Sequence, residues 1–313
     1  MISLAASRAQ HSLSDHGFSL AYARTLITGG LSLWRTLASA LGLWLTLSGT
    51  ATLAESTVPQ RLLSADAVVT EILLSLGAGD RLVAIDAASS MPAGRDLPRL
   101  GYHRGLAAEG MIALAPDLLI GSEQMGPPHV LDALDRAGVE VLVLPYPGDI
   151  DTLRRNVQTI ADAVGAASGD EVLAALSQRA RGLQAHSLAG KTAAFLLRGE
   201  GGALRMAGTG TGGGGFIALT GADNVAGYRG YRAITAEGLL ELAPDVLLLA
   251  DTEGRGSDDF LERYPVMRFS PAVRAGQLFT VDSNTLVAGI SIAAVNEAYR
   301  LLVDAHSARV VSP

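Results

Sequence analysis

One segment of the sequence occurs twice, and it decides the fold. "AEGMIALAPDLLI" at 108–120 and "AEGLLELAPDVLL" at 236–248 align without a gap. In each copy Glu-Gly opens an amphipathic stretch, Ala-Pro-Asp ends it, and a short apolar run follows. Pro116 and Pro244 end the helix, and the apolar runs are typical of strands buried in a parallel sheet. The sequence therefore predicts the same helix–turn–strand unit in each half of the chain, and so two lobes of like construction.

Segments around the first copy alternate between strands and helices. Apolar runs predict strands at 61–66, 81–86 and 139–145, and the stretches between them predict helices at 67–80 and 129–138. Such alternation is typical of βαβ units with a parallel sheet. The first half of the chain is therefore predicted to be an α/β lobe.

The second half restarts the same pattern, with a strand predicted at 191–199 and a closing helix at 291–306. Between the halves, an unbroken helix over 169–188 would extend about 30 Å and is placed to link them. We therefore divide the chain beyond residue 54 into an N-terminal lobe at 55–168, this linking helix, and a C-terminal lobe at 189–313.

The first 54 residues have the pattern of an export signal. Two arginines precede the apolar run "LASALGLWLTL" at 37–47 and small residues follow it, so we predict a signal peptide at 1–54. Cleavage after Ala54 fits the small-residue rule, with Ala51 as the alternative site and a buried first helix as the alternative interpretation. The sequence contains no cysteine, which leaves none to lipidate and favours a soluble periplasmic protein.

Several function classes lack their sequence signatures. The formal charge of −7, without a basic run, argues against nucleic-acid binding. The glycine-rich stretch at 207–224 lacks the Lys-Ser/Thr of a phosphate-binding loop, and we expect a flexible loop that lines a cleft and approaches a flat ligand closely. The histidines have no paired spacing for a metal site, and no GxSxG, HExxH or cysteine nucleophile indicates an enzyme.

Four segments together resemble the haem-specific periplasmic binding proteins of bacterial ABC transporters. They are "RLLSADAVVTEILLSLGAGDRLVAID" at 61–86, "LPRLGYHRGLAAEGMIALAPDLLIGSEQMGPP" at 97–128, "MAGTGT" at 206–211 and "YRAITAEGLLELAPDVLLL" at 231–249. The similarity covers nearly all of residues 60–306, and the wider class also carries siderophores and vitamin B12. The resemblance implies an α/β fold of two Rossmann-like lobes, each with a central, mostly parallel sheet. One long rigid helix would join them, with the ligand cleft between the lobes.

The string Gly-Tyr-x-Arg marks the haem branch more narrowly. In that family its tyrosine is an axial ligand of the haem iron, which implies this role for Tyr102. A phenolate is a hard anionic donor suited to ferric iron, but a free phenol has a pKa of about 10, so iron and a nearby cation must favour the anion. Arg104 would supply that cation or pair with a haem propionate. A tyrosine half-buried in a turn is the alternative interpretation of Tyr102.

His103 lies between these two residues, where most relatives have no histidine. A neighbour of a ligand usually points away from it, so we expect an exposed imidazole. A position near the iron or a propionate, adding pH dependence, is the alternative. Some relatives supply a sixth ligand from a histidine of the second lobe, but the corresponding stretch here, 196–210, contains none. Five-coordinate iron, a water ligand or another residue remain open.

A second aromatic and cationic cluster precedes the second copy of the repeat. It contains Tyr228, Arg229, Tyr231 and Arg232. The resemblance covers the region of Tyr231 and implies a place opposite Tyr102 across the cleft. A stacking tyrosine and propionate-binding arginines suit haem, which has apolar faces and two carboxylates at its edge. Ordinary surface-loop residues are the alternative.

Glu109 and Glu237 are the matching acids of the repeated unit. In the wider class, acids at this place dock with arginines of the membrane permease, one on each lobe, which implies the same role here. A glutamate near a helix N-terminus also interacts favourably with the helix dipole, and both roles are compatible.

The resemblance implies a periplasmic protein of iron acquisition that captures haem (hemin) and delivers it to the transmembrane subunits of an ABC permease with a cytoplasmic ATPase. We expect a monomer that performs no chemistry and does not itself span the membrane. A carrier of a ferric siderophore or a corrinoid such as vitamin B12, on the same fold, is the alternative function. A periplasmic enzyme on this scaffold is a third hypothesis.

Overall fold

Two β-sheets organise the described part of the chain, which comprises residues 58–198, 203–251 and 256–311 of a computed structural model. The predicted signal peptide at 1–54 lies outside these residues. The first sheet contains β1 (Leu62–Ser64), β2 (Leu82–Ile85), β3 (Leu118–Ser122) and β4 (Glu140–Leu144). Its strand order is β2-β1-β3-β4, and every pair is parallel. This agrees with the predicted α/β lobe.

The second sheet belongs to the second half of the chain. It contains β5 (Thr192–Arg198), β6 (Leu204–Ala207), β7 (Asp223–Asn224), β8 (Tyr231–Ile234), β9 (Val246–Ala250) and β10 (Leu278–Val281). The strand order is β10-β9-β5-β6-β8, with β7 beside β5. Strand β6 is antiparallel to β5 and β8, while the other pairs are parallel. The α/β class is confirmed, and the second sheet is mixed.

Helices connect the strands in both halves. The first half contains α1 (Ala67–Ser75), α2 (Ala108–Ile112), α3 (Pro128–Arg136), α4 (Ile150–Ala163) and α5 (Gly169–Ala185). The second half contains α6 (Gly212–Thr220), α7 (Ala236–Leu242), α8 (Gly256–Arg263), α9 (Pro271–Arg274) and α10 (Ile292–Val311). The predicted linking helix corresponds to α5, about 25 Å long at 1.5 Å per residue. The lobe boundaries around it stay a prediction.

The two halves share a hydrophobic core. Its fully or nearly fully buried residues include Leu73 of α1, Leu183 of α5 and Val295 of α10. Buried apolar side chains contribute roughly 1.5–3 kcal/mol each relative to exposure, so this shared core holds the linking helix against both halves. A smaller hydrophobic cluster packs against the opposite face of each sheet.

Both copies of the repeated segment form the predicted helix–turn–strand unit. In each copy the alanine before the proline is left-handed, with φ of 44° at Ala115 and 43° at Ala243. A proline disfavours the right-handed helical conformation in the residue before it. A left-handed alanine therefore precedes the proline in both copies, and the duplication extends to an uncommon backbone conformation.

The aspartate of each Ala-Pro-Asp ties its unit to the start of the first strand in the same half. Oδ2 of Asp117 accepts the backbone N–H groups of Gln60 and Arg61 at 2.7 and 2.9 Å. Oδ2 of Asp245 accepts the N–H of Thr192 at 2.9 Å, and this bond lowers the pKa of Asp245. The repeated motif thus closes each half of the chain by the same contact.

The glycine-rich stretch contains a helix, so the expectation of a flexible loop was wrong. Helix α6 begins at Gly212, and the hydroxyl of Thr211 caps it by accepting the N–H of Gly214 at 3.0 Å. A Cβ atom on Gly212 would lie 2.3 Å from the backbone oxygen of Leu286. Real Cβ atoms do not approach another heavy atom so closely, because the repulsion is prohibitive.

The next two glycines are equally confined. A Cβ on Gly213 would lie 2.4 Å from Cδ1 of Phe195, and one on Gly214 would lie 2.2 Å from the backbone oxygen of Gly208. These glycines therefore allow the start of α6 to pack closely against neighbouring segments of the chain on several sides. Close approach to a flat ligand is not needed to explain them.

Candidate functional site

A cavity of about 390 Å³ lies between residues of the two halves. Its lining is mostly apolar and aromatic with a few polar groups: Arg104, Gln124, Tyr146, Phe195, Leu197, Gly210, Thr211, Gly212, Tyr231, Leu286 and Val287. Volume and composition match small-molecule sites, which span about 300–1,000 Å³. This cavity is the candidate binding site.

Sheet topology explains which first-half residues reach the cavity. Strand β3 ends at Ser122, just before Gln124, and β4 ends at Leu144, just before Tyr146. The carboxyl ends of parallel strands meet at one edge of the sheet, where α/β proteins bind ligands. Tyr146 was missed in the sequence, although its place directly after a predicted strand was a usable signal.

The loop that carries Tyr102 is fixed to the "SEQMGPP" segment. The N–H of Gly126 donates to the His103 oxygen at 2.9 Å, and the N–H of Leu106 donates to the Gly126 oxygen at 2.9 Å. The Arg104 guanidinium donates to Oε1 of Gln124. Two segments that are separate in sequence therefore form one structural unit at the cavity.

Tyr102 lies at the start of this unit, two residues before Arg104. Its side chain is 51% exposed, and it precedes a short 3₁₀ turn at His103–Gly105. Arg104 reaches the cavity, whereas Tyr102 lies outside the cavity lining. The phenol is thus accessible to a ligand that extends out of the cavity.

His103 is buried, and the expectation of an exposed imidazole was wrong. Only 3% of the residue is exposed, and its ring centroid lies 4.2 Å from that of Tyr102 at an interplanar angle of 46°. Its Nδ1 is buried with no hydrogen-bond partner among the described residues. Burial, aided by the charge of Arg104, lowers the pKa of His103 and favours the neutral ring. The buried His103 ring therefore packs against Tyr102 instead of facing solvent.

Tyr231 reaches the cavity from the second half. Its Oη accepts the N–H of Gly213, the second residue of α6, at 3.3 Å. The Arg205 guanidinium lies 5.8 Å from the centre of the Tyr231 ring. Arg205 pairs with Leu197 in the sheet, and Leu197 lines the cavity, so Arg205 shares the cavity face. Arg205 was not predicted as a site residue.

Arg232 lies on the other face of the same strand. It pairs with Met206, which belongs to a separate hydrophobic cluster, and its guanidinium stacks 4.5 Å from the Tyr228 ring centre. The Tyr228 hydroxyl donates to the Met206 oxygen at 3.1 Å. Neither residue lines the described cavity. The predicted cluster is therefore divided between two faces of the sheet.

Arg229 lies at the rim of the cavity. A Cβ on Gly210, which lines the cavity, would be 3.1 Å from Cζ of Arg229. Gly210 has φ of 71°, so the position favours glycine in conformation as well as in space. Of the predicted residues, the structure brings Arg104 and Tyr231 into the cavity and Arg229 and Tyr102 to its surroundings.

Tyr146 is a second phenol of the first half and is less exposed than Tyr102. Burial raises the pKa of Tyr146 to about 12, and the nearby Tyr231 and Asp66 act in the same direction against the charge of Arg104. The hydroxyl therefore stays protonated at neutral pH. As a neutral phenol it is suited to hydrogen bonding and stacking, and poorly suited to supply an anionic ligand.

Asp66 lies beneath the site at the end of β1 and caps α1. Its Oδ1 accepts the N–H of Val68 at 2.9 Å, while Oδ2 is buried with no hydrogen-bond partner among the described residues. Burial raises the pKa of Asp66 to about 6, while the nearby Ser122 hydroxyl and the bond from Val68 oppose the rise. Burial is the largest of these effects. At neutral pH the ionised Asp66 carboxylate is therefore less stable in the folded protein than in water.

Asp66→Asn is expected to stabilise the protein at neutral pH. Because the folded pKa of about 6 exceeds the unfolded value of 3.8, the folded protein binds more protons between these values, and stability falls as pH rises through them. The amide retains the cap but cannot ionise. The free energy of unfolding of the variant should exceed that of the natural chain by up to about 3 kcal/mol near pH 7. Urea unfolding over a pH series checks this, and the difference should vanish below the unfolded pKa of 3.8.

Glu109 and Glu237 are both exposed, each in the first turn of its repeated helix. Neither takes part in an ion pair with a described residue. Over the described ranges, no group of three or more acidic or histidine side chains is arranged to hold a metal ion. The helices within those ranges include none that is long and apolar enough to cross a membrane.

Solved structures with a similar fold are binding proteins of the periplasm. The periplasmic haem-binding protein HutB of Vibrio cholerae is 33% identical, with a TM-score of 0.71 over 78% of this chain and 98% of its own. A periplasmic haem-binding protein of Pseudomonas aeruginosa is 33% identical, with a TM-score of 0.68 over 80% of this chain and 93% of its own. These likenesses cover both halves of the chain.

Curated relatives match over a shorter region. A vitamin B12-binding protein of Vibrio campbellii (strain ATCC BAA-1116) is 30% identical over 103 residues, which are 33% of this chain and 37% of that relative. The chain thus matches little more than a third of the length of this relative. Residues 63–285, by contrast, match the family described as periplasmic binding protein. The chain belongs to the periplasmic binding protein family, within the class of substrate-binding proteins for haem, vitamin B12 and siderophores.

Proposed function

We propose that this protein captures haem through Tyr102 and delivers it to an ABC permease from the periplasm. One observation carries the proposal: Arg104 and Tyr231, from opposite halves of the chain, line one cavity beside Tyr102. The similarity of both halves to haem-binding structures supports it. Haem is the cargo, and no chemical step is required of the protein.

The cavity offers what the two parts of haem require. Phe195, Leu197 and Val287 provide apolar surface for the faces of the macrocycle. Arg104 and Arg205 provide guanidinium groups, which bind carboxylates with two parallel hydrogen bonds. Arg205 therefore takes the propionate-binding role that the sequence suggested for Arg232.

Two phenols near the cavity differ in their fitness as an iron ligand. Tyr146 is held neutral by burial, whereas Tyr102 is 51% exposed and its hydroxyl is accessible to a ligand. Phenolate ligation of haem iron is an established mode of binding in proteins. The environment therefore supports Tyr102, not Tyr146, as the axial ligand.

Titration with three ligands tests the proposed function. Hemin, cyanocobalamin and a ferric siderophore are added separately to the purified protein, and binding is followed by optical absorption. Hemin should saturate the protein and give a high-spin ferric spectrum with a phenolate charge-transfer band. Saturation by cyanocobalamin or the siderophore, with no spectral change on adding hemin, would show that the carrier serves another ligand.

A corrinoid is the second candidate, because the curated relative of 30% identity binds vitamin B12. The corrin periphery of cobalamin bears neutral amides in place of the two carboxylates of haem, and its one anionic group is the phosphodiester of the nucleotide loop. Two guanidinium groups at Arg104 and Arg205 match the two carboxylates of haem better, because charge-assisted hydrogen bonds are roughly twice as strong as neutral ones. The charge of the site therefore favours haem over a corrinoid.

Charge reversal at the two repeated acids is expected to separate binding from delivery. The double variant Glu109→Lys, Glu237→Lys should bind hemin normally, because both side chains are exposed and neither lines the cavity. Transport should fall to background, since each new lysine would face arginines of the permease. The measurement is hemin uptake through the reconstituted permease. Glu241→Lys, an exposed change on the same α7 helix, serves as control and should transport normally; normal uptake by the double variant would exclude docking through these acids.

A further inference from the structure

Glu71 connects the two halves of the molecule at one side of the site. It lies on α1, and its carboxylate accepts the N–H groups of Ile292 at 3.1 Å and Ala293 at 2.7 Å. These residues begin α10, 221 and 222 positions further along the chain. A helix begins with N–H groups that have no partner within the helix. A side chain of the first half thus satisfies two such groups in the second half.

The Glu71 side chain is partly buried. Burial raises the pKa of Glu71, and the bonds from Ala293, Ser291 and Ile292 oppose that rise. The hydroxyl of Ser291 also accepts the N–H of Ala294 at 3.0 Å, which satisfies a further group of the first turn. A carboxylate at a helix N-terminus also interacts favourably with the helix dipole. The hydrogen bonds and the helix dipole together offset part of the cost of burying the Glu71 carboxylate.

Glu71 adds polar bonds to the hydrophobic core that α1 and α10 share. A second cavity, of about 290 Å³, separates parts of α1 from the segment that leads into α10 and is lined by both. Leu74 lies on the α1 side, and Thr285 and Ala288 lie on the other. Atoms that line a cavity lack packing partners on one side. The polar bonds of Glu71 therefore contribute more of the interaction energy between the two elements at this place.

The segment before α10 forms a wall of the ligand cavity. Leu286 and Val287 line the cavity, and Val287 is 47% exposed although apolar. Three residues later, the N–H of Ile290 donates to the Pro147 oxygen of the first half at 2.7 Å. The wall is therefore held between that bond and the α10 N-terminus that Glu71 binds.

We propose that Glu71 is a positioning residue for ligand retention: by anchoring the start of α10 to α1, it fixes the wall formed by Leu286 and Val287. The inference rests on the proposed function only in using hemin as the probe. Glu71 does not line the ligand cavity itself and acts through the helix it binds. Loss of the anchor should let the wall move away and speed the release of ligand.

Release kinetics and hydrogen exchange together test this proposal. Glu71→Ala should release hemin to an excess of a haem-accepting apoprotein about tenfold faster than the natural chain, the loss expected for about two hydrogen bonds. Glu71→Gln keeps one carbonyl acceptor and should show an intermediate rate. In the ligand-free protein, exchange at Ile290, Ile292 and Ala293 should speed up in the same order. The partial rescue by glutamine keeps the test informative if the alanine variant folds poorly.

Thr235→Ala is the matched control. The Thr235 hydroxyl caps α7 by accepting the N–H of Gly238 at 3.0 Å, so its loss removes a helix cap that does not border the cavity. This variant should be less stable yet release hemin at the natural rate. Equal acceleration in Thr235→Ala and Glu71→Ala, or a natural release rate in Glu71→Ala, would overturn the positioning role. If the natural chain binds no hemin, the haem function fails, and unchanged exchange at Ile290 in Glu71→Ala would then reject the anchor independently.

Discussion

Tyr102→Phe is expected to abolish the phenolate-to-iron absorption band and to weaken hemin binding by about 100-fold or more. Changes that only touch groups behind a metal ligand already cost about 10- to 100-fold in affinity, so loss of the ligand itself should cost at least the upper value. Phenylalanine keeps the ring that contacts His103, so the loop should retain its conformation. Optical titration with hemin, with the spectrum recorded at saturation, measures both effects.

Tyr146→Phe is the matched control for this result. It removes the hydroxyl of a second phenol of the site, one held neutral by burial. The charge-transfer band should survive, and affinity should fall by no more than about tenfold, the value of one hydrogen bond. An unchanged band in Tyr102→Phe together with its loss in Tyr146→Phe would transfer the ligand role to Tyr146.

Gly213→Ala is expected to destabilise the fold and to weaken hemin binding. The new Cβ would lie 2.4 Å from Cδ1 of Phe195 and 2.8 Å from Cβ of Ala207, both of them buried in the core. Overpacking of this kind costs about 1–3 kcal/mol and occasionally more. The displacement would also move the N–H that donates to Tyr231, so hemin affinity should fall as well. Urea unfolding and hemin titration measure the two losses.

Gly110→Ala provides the control for the substitution itself. Gly110 lies within α2, and nothing lies within 4 Å of the place its Cβ would take. Alanine is favoured over glycine in helices by up to about 1 kcal/mol, so this variant should be as stable as the natural chain or more so. If both variants lose stability equally, close packing is not the reason for the glycines of α6.

The repeated segment could be predicted because its signals are local. A helix that ends before proline and an apolar run that follows are properties of a dozen consecutive residues, and both copies agree with the structure. The glycine-rich stretch shows the opposite case. Its composition alone is compatible with a loop, because the atoms that exclude a Cβ from Gly212 and Gly214 belong to Leu286 and Gly208. Only the folded chain brings them together.

The sequence motifs predicted which segments form the candidate site. They did not predict which face of a strand each side chain occupies. Arg104 and Tyr231 were found because their motifs resemble those of a known class, and both line the cavity. The choice between Arg205 and Arg232 depended on strand pairing, in which Met206 opposes Arg232. A shift of one residue in register exchanges the faces of a strand, and no local pattern fixed that register.

The paired carboxylates of the repeat have a consequence for the order in which the chain folds. Asp117 and Asp245 each close contacts over 53 to 57 residues, whereas Glu71 reaches α10 over 221 residues. Contacts of short sequence separation form faster, because less chain entropy is lost in closing them. Each half can therefore assemble on its own before α10 docks against α1. The binding site needs residues of both halves, so it would form last. Ligand binding would therefore indicate that the two halves have assembled.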